Sequence, residues 1–501
     1  MTGETDLGDS NDTTALKHYP SLPLEEDVLH CLVEDAVDWA QAHGMVMRTP
    51  EHKDRSDICQ IAPFTLLPSL FPRQMFDLAV KIQKVTNLLY HRIAFDHDFL
   101  VMSLEAVART DDFTRNLMKI YDAVYKDGLK QPKALLLQRA DYMCDDKGKM
   151  GYGLRQVEVN NIAASMGSLT ERVTILHGRV LSDLGVPMDV IKSSIVPNRP
   201  IDTIAKGLSD AWTDFNDTKA AILFIVEEEN QNEIDQRHVE YRIDEFTKRR
   251  AKCIRMTLTA CAKRLSLKGD NRSLFVDNTQ RIGIVYFRAG YVPANYFTEL
   301  EWDARRTIEL SDAIKSPWIG LQLANTKKIQ QVLSNPHVVE KYLPDFPEES
   351  KLMRGTFAGL WGLESDDQST ETVVRDAVAN PSNYVLKPQL EGGWGNYYGE
   401  DLAEKLRTMT LDERAAYILM EKIHPMVTKN YLIRPFQNVQ LSETVGELGI
   451  YGCLYGKGSF SGKFEVVFNE CSGHIIRSKG KDVDKGGVAV GAAFIDSPFL
   501  F

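Results

Sequence analysis

Four short stretches combine residue types that could do chemistry. The first is Gln156-Val157-Glu158-Val159-Asn160. On a strand alternate side chains share a face, so Gln156, Glu158 and Asn160 project together while the valines enter a core. A carboxylate and an amide oxygen about 7 Å apart along a strand suit a hard cation such as Mg²⁺, which takes oxygen ligands. A half-exposed strand with a polar face has the same pattern. The second stretch places Lys387 before Glu391, then Gly392, Gly393, Trp394, Gly395, Asn396 and Tyr398. Glycines let backbone N–H groups approach phosphate oxygens, Lys387 supplies a point charge, and Glu391 can hold a shielding cation. No Gly-Lys-Ser/Thr occurs in the chain, so this is not a P-loop, and the same glycines could form a plain hairpin turn. The third, residues 417–425, runs an apolar strand through Met420 into Glu421, Lys422 and Ile423 before a proline. It reads either as a strand end or as a hinge whose backbone could meet an adenine edge. The fourth sets Arg477 and Lys479 two residues apart on an extended segment, followed by small residues at 486–491. That is either a solvated basic pair or one side of a site under a pliable closing loop.

Such side chains need elements to hold them. Apolar residues recur at three- and four-residue spacing over 27–43, with Gly44 as the stop, and over 73–91, which predicts two amphipathic helices. Between Lys133 and Asn160 the period falls to two. Residues 134–137 read as a buried strand, 154–160 as an alternating one, and 145–153 as their connection. A strand over 220–226, a helix over 235–250 and a strand over 281–287 predict a small α/β unit. After Lys327 helices are expected to about residue 380, then short strands over 384–387, 417–421 and 446–451.

The whole chain has 501 residues, with 59 Lys+Arg against 70 Asp+Glu, a net charge of −11. That balance argues against a nucleic-acid coat or an anionic-membrane binder, so a basic cluster reads as a pocket for an anionic ligand. Seven cysteines with no Cys-x-x-Cys pair exclude a zinc ribbon or disulfide scaffold. The acidic N-terminus has no secretory pattern and no apolar run approaches 18 residues, so a cytoplasmic protein is expected, with no membrane or nucleic-acid partner.

The four stretches, in this order, resemble eukaryotic-type glutathione synthetases. Arg139-Ala-Asp-Tyr-Met143 with residues 156–160, Lys387-Pro-Gln with Glu391-Gly-Gly, residues 418–423, Glu447-Leu-Gly-Ile450 and Gly486-Gly-Val-Ala489 all carry the likeness. So do Phe287-Arg288-x-Gly290-Tyr291 and the segment 322–328, and coverage runs from about residue 25 to the end. The resemblance implies an α/β, circularly permuted ATP-grasp fold. Residues 1–24 would be a flexible tail, 25–217 and 326–501 the ATP-binding body, and 218–325 an inserted substrate-binding domain, in a homodimer. It also implies ligation of γ-glutamylcysteine to glycine through an acyl phosphate, with ATP as co-substrate and Mg²⁺, two per active site.

Carried over residue by residue, Glu158, Asn160 and Glu391 would hold Mg²⁺. Glu158, Lys327, Lys387, Glu391, the loop Gly392, Gly393, Trp394, Gly395 and Asn396, Tyr398, Met420, Glu421, Lys422, Ile423, Glu447 and Lys479 would form the nucleotide site. Arg139 would be catalytic and touch the peptide substrates. Also there would be Ile162, Ala163, Ala164, Ser165, Asn230, Gln231, Asn232, Gln236, Arg288, Ala289, Gly290, Tyr291, Arg477, Val488 and Ala489. The chain departs from the family's pattern at Asn230, often glutamate there, at Ala289, where the family has aspartate, at Lys485, and at Trp394 and Gly395 in the loop. These changes leave substrate affinity open. The small Val488-Ala489 segment favours glycine, with β-alanine or serine as the alternative acceptor and a non-catalytic nucleotide- or peptide-binding relative as the other reading.

Overall fold

The strand Lys133–Asp146 is buried on both faces. Leu136 packs with the helix Arg73–Ile93, whereas Leu135 and Leu137 pack beneath the helix Pro200–Phe215. A strand covered on both sides has no polar face, which is why 134–137 reads as an unbroken apolar run. In this computed structural model, which describes residues 13–389, 395–483, 488 and 492–501, that strand belongs to a seven-stranded sheet. Across the sheet run Val427–Ile433, Phe64–Thr65, Phe494–Asp496, Phe464–Gly480, Leu441–Gly458, Lys133–Asp146 and Tyr152–Asn160. Val427–Ile433 also pairs with Leu441–Gly458, so five of the strands close on themselves.

The two predicted helices form at Glu26–Ala42 and Arg73–Ile93, and the predicted strands flank the 145–153 connection as Lys133–Asp146 and Tyr152–Asn160. The expected 446–451 strand is the middle of an 18-residue one, Leu441–Gly458, and residues 473–479 end a 17-residue strand, Phe464–Gly480. Glycines at 446, 449, 452 and 456 interrupt the side-chain alternation there, so the sequence signal covers only part of the element. Close packing explains some of these glycines. A Cβ at Gly452 would sit 2.2 Å from Asn87 Oδ1.

Residues 221–316 supply a second, six-stranded sheet. Its strands Cys253–Met256, Ala221–Ile225 and Gln280–Phe287 run parallel, with the helix Glu233–Thr247 as a crossover. All five residues of Ala221–Ile225 are buried, as a parallel strand covered on both faces requires. A third sheet, Leu360–Gly362, Tyr417–Glu421 and Tyr384–Pro388, is antiparallel and carries its own small core of Leu386, Leu402, Leu406 and Leu419. The short strand at 360–362 interrupts the helices expected between 327 and 380. Within the segment expected as a tail, the Tyr19 hydroxyl donates to Pro68 O, the Tyr19 ring meets Phe499 edge-on, and Leu24 N donates to the Tyr431 hydroxyl. Among the described residues no helix is long and apolar enough to cross a membrane, and the seven cysteines are free thiols.

Candidate active site

A cleft of about 1090 Å³, counted with its open mouth, lies between the large sheet and the three-stranded one. The large sheet contributes Glu158 at the end of Tyr152–Asn160, Glu447 from the middle of Leu441–Gly458, and Arg477 and Lys479 from Phe464–Gly480. From the small sheet come Lys387 and the run Met420, Glu421, Lys422 and Ile423, with Asn396 and Tyr398 beyond them. Lys327 enters from the first position of the helix Lys327–Leu333. Among the described residues the lining holds six basic side chains (the five lysines 327, 387, 422, 479 and 481, and Arg477) against three carboxylates (Glu158, Glu421, Glu447). In a chain of net charge −11 this is a local excess of positive charge, suited to a polyanion.

The electrostatics follow from burial. Lys327 and Lys387 are 3% and 6% exposed. Lys327 Nζ stands 3.7 Å from Glu158 Oε2, and Lys387 Nζ donates to Val157 O at 3.3 Å. Burial pushes the Lys387 ammonium down to about 8, more than Glu158 restores. Burial would raise the Glu158 carboxyl, but Lys327, Arg477, Lys387 and Arg139 outweigh it and hold it below its ordinary value. Glu447 goes the other way: burial pushes it up, Asp141 and Glu158 add to that, and Arg477 offsets only part.

Beside the cleft, Arg139 places Nε and Nη2 on the Asp141 carboxylate at 2.7 and 2.8 Å. Arg477 Nη2 reaches the same carboxylate at 2.7 Å and also bonds Glu447. Burial alone would lower both guanidinium pKa values; Asp141 is the main reason both are raised instead. Asn160 Nδ2 donates to Asp141 Oδ2 at 2.8 Å, so its carboxamide is fixed through nitrogen. Carboxylate oxygens of Asp141, Glu158 and Glu447 lie within 4.8 Å of one another. A cluster of hard oxygen donors next to buried lysines fits a small divalent cation.

The hinge expectation is modified. Glu421 N donates to Gly359 O and Lys422 N to Asn383 O, so neither amide is open to a base. Met420 is buried, and Ile423 is the first residue past the strand whose N–H has no backbone partner among the described residues. The Lys422 ammonium lies 5.7 Å from the centre of the Tyr398 ring, and Asn396 Nδ2 donates to the Tyr398 hydroxyl.

The residues expected around the peptide substrates form a second group, linked to the first through the strand pairing of Arg139 with Tyr451. The Tyr451 hydroxyl donates to Ser165 O at 2.6 Å. Residues 162–165 enter the helix Gly167–Asp183 through positive φ at Ala163 and Met166, a strained path for side-chain-bearing residues. Asp235 holds that path by accepting from Met166 N, Ser168 N and the Ser168 hydroxyl. Arg288 comes within 3.8 Å of Asp235, while its Nε and Nη1 have no hydrogen-bond partner among the described residues; nor does Asn232 Oδ1, and both side chains are buried. Buried polar atoms are normally hydrogen-bonded, so each of these is a candidate contact for a polar ligand.

Other members of this group are engaged within the protein. Gln236 accepts from Arg255, Gln231 pairs through its backbone with Arg48, and Asn230 bridges Glu227 and Asn232 N. Gly290, at φ +94°, donates its N–H to Asn295 and accepts from Gln322. Its neighbour Ala289 is buried, and Tyr291 shares a small cavity with Ile162. Ala164 and Val488 are buried too. Gly395 has φ +76°, a conformation that favours glycine. The expectations for Glu391, Gly392, Gly393, Trp394, Ala489 and Lys485 lie outside the described residues.

A family model for eukaryotic glutathione synthase, ATP binding domain, matches residues 26–500. The chain belongs to this family. It is 40% identical to the glutathione synthetase of Xenopus laevis over 474 residues, spanning 94% of this chain and 97% of the relative. To the glutathione synthetase of Homo sapiens it is 38% identical, spanning 96% and 99%. The chloroplastic glutathione synthetase of Solanum lycopersicum is 34% identical, spanning 95% and 85%. Among solved structures, a glutathione synthetase-like effector from Globodera pallida superposes with a TM-score of 0.77 at 29% identity, covering 96% of this chain and 99% of that one. Family membership makes this chain an ATP-dependent ligase with a mixed α/β fold of the ATP-grasp kind.

Within this glutathione synthase family member, sequence reasoning overlooked Asp141. A signal was present, because Asp141 lies two residues after Arg139 on one strand and so shares its face. It also overlooked a buried chain of carboxamides. Gln83 donates to Gln138, Gln138 to Asn161, and Asn161 N to Asn325 Oδ1, which pins the end of the Glu158 strand two residues from Lys327.

Proposed function

We propose that the cleft and the group beside it join γ-glutamylcysteine to glycine at the expense of ATP. The observation that carries this reading is the convergence of Glu158, Lys327, Lys387 and Glu447, drawn from four distant stretches, in one cleft of a glutathione synthase family member. In the first step a cysteinyl carboxylate oxygen bonds to the γ-phosphorus of ATP, the bond to the bridging oxygen breaks, and ADP leaves. In the second, the glycine amine attacks the acyl carbon, loses a proton, and phosphate departs with the amide formed. Neither step needs a nucleophilic side chain; positioning and charge neutralisation suffice.

Lys327 and Lys387 serve as phosphate contacts. Met420 and Ile423 sandwich the base, and Tyr398, Asn396, Glu447 and Lys479 complete the nucleotide site with the 391–395 loop. Arg139 and Arg477 face the reacting carboxylate and the charge that develops on it. Arg288 and Asn232 take the carboxylate and ammonium of the glutamyl end, and residues 162–165, Gln236, Gly290, Tyr291 and the 488–489 segment line the rest of the peptide site. Glu158 and Asn160, with Glu391 from sequence, would hold Mg²⁺, which when bound neutralises phosphate charge. We further propose that 218–325 acts as a substrate-binding domain on the ATP-binding body and that the protein works as a cytoplasmic homodimer. Support for these readings comes from the likeness to the family.

ADP release from the purified protein with γ-glutamylcysteine tests the assignment, comparing glycine, alanine, serine and β-alanine. Release fastest with glycine is expected. Release fastest with another amine replaces glycine as acceptor, and none with any of the four overturns the ligase reading. The buried Lys387 adds a pH prediction. A polyanion binds the protonated ammonium, which is depleted as pH rises through about 8. ATP affinity, measured by calorimetry from pH 7 to 9, is therefore expected to weaken above that value, and Lys387→Met should remove the dependence. A flat profile in the wild-type protein, together with unchanged ATP affinity in Lys387→Met, would exclude Lys387 as a phosphate contact.

A further inference from the structure

Asp141 is fully buried, paired across the sheet with Glu158 on one side and Gly449 on the other. Its carboxylate accepts four hydrogen bonds at 2.7–2.8 Å: Arg139 Nε on Oδ1, and Arg139 Nη2, Asn160 Nδ2 and Arg477 Nη2 on Oδ2. A carboxylate offers about four lone-pair sites; here three donors crowd Oδ2 and one holds Oδ1. Proximity to Glu158 and Glu447 makes it look like a third cation ligand, but its carboxylate is already engaged by four protein donors.

The arrangement has a clear electrostatic purpose. Arg139 and Arg477 lie on strands separated by Leu441–Gly458, and each guanidinium disfavours the charge on the other. One carboxylate between them offsets that repulsion and fixes both in bidentate or shared geometry. The intervening strand leaves room only because residue 449 is glycine. A Cβ there would stand 2.7 Å from both Arg139 Cδ and Asp141 Oδ1. The same carboxylate takes the Asn160 amide nitrogen, which turns the amide oxygen away from Asp141.

We propose that Asp141 is a positioning residue for the ligation step. It holds Arg139, Arg477 and the Asn160 carboxamide in one rigid constellation. The proposal rests on the ligase reading above. Its effect is on the reacting geometry, so it should show in turnover and not in ATP affinity.

The test compares wild type, Asp141→Asn and Asp141→Glu in the full-length protein. Turnover by ADP release and ATP affinity by calorimetry are measured for each. Asparagine removes the charge, and glutamate keeps it while displacing both guanidinium groups. Misplacement by about 1 Å typically costs on the order of 10²-fold in rate, and that loss is expected in both variants with ATP affinity unchanged. If Asp141→Asn fails to fold by circular dichroism, Asp141→Glu decides, because it retains the buried charge balance. Wild-type-like turnover in a folded variant overturns the proposal. So does a loss of ATP affinity as large as the loss of turnover, because it would place the effect outside the reacting geometry. A wild-type protein that releases no ADP with any acceptor overturns the ligase reading and this proposal with it. An active wild type with equally active variants overturns this proposal alone.

Discussion

Arg139→Ala is expected to lower turnover by about 10²–10³-fold, the usual cost of losing one donor aimed at charge that develops in a transition state. The geometry explains why Arg139 is suited to that role. Nε and Nη2 are committed to Asp141, which locks the guanidinium plane and leaves Nη1 as the nitrogen available to a ligand among the described contacts. The residue is buried at 5% exposure, where such a contact is stronger than in water. ATP affinity should change little, because Arg139 is not part of the cleft lining. The measurement is kcat against ATP affinity in the same preparation. A variant with turnover near that of wild type would remove Arg139 from the mechanism, and added guanidinium that restores part of the rate would place the loss in the missing group.

Glu158→Gln is expected to be comparably severe, with a different signature. The carboxamide keeps an oxygen but loses the charge that a divalent cation needs, so the Mg²⁺ activation curve should move to higher concentration and maximal turnover should fall. A second effect follows from the buried lysines. Glu158 is the group that partly restores the lowered Lys387 ammonium. Without it Lys387 falls further below its ordinary value, and the loss of ATP affinity with rising pH should begin below about 8. Breaking one partner of a buried charge pair typically costs about 3–5 kcal/mol of stability, so a lower Tm should accompany both changes. Titrating Mg²⁺ against both proteins checks the first effect. Overlapping activation curves would show that Glu158 holds no cation.

Much of the site was legible because strands encode their faces locally. The alternation at 156–160 placed Glu158 and Asn160 on one side, and the structure sets Glu158 in the cleft with Asn160 fastened beside it. The apolar strand ending at Met420 was equally clear, but the engagement of the Glu421 and Lys422 amides by Gly359 and Asn383 could not be read, because both acceptors are remote in sequence. The 18-residue strand Leu441–Gly458 was read only at 446–451. With both faces buried and glycines replacing side chains where helices and arginines come close, it carries no period-two signal along most of its length.

The sequence by itself determined the family, the local faces of the strands and the kinds of groups available: carboxylates, lysines, glycines and two arginines in ordered motifs. Tertiary structure alone decided which of them meet. Arg477 reaches Asp141 across 336 positions of chain because the long strands pair in one register, and Lys327 reaches Glu158 where Asn325 pins the end of that strand. Periodicity records how a residue sits on its own element. Contacts between elements depend on register and burial, which a one-residue slip would reverse without altering composition or pattern.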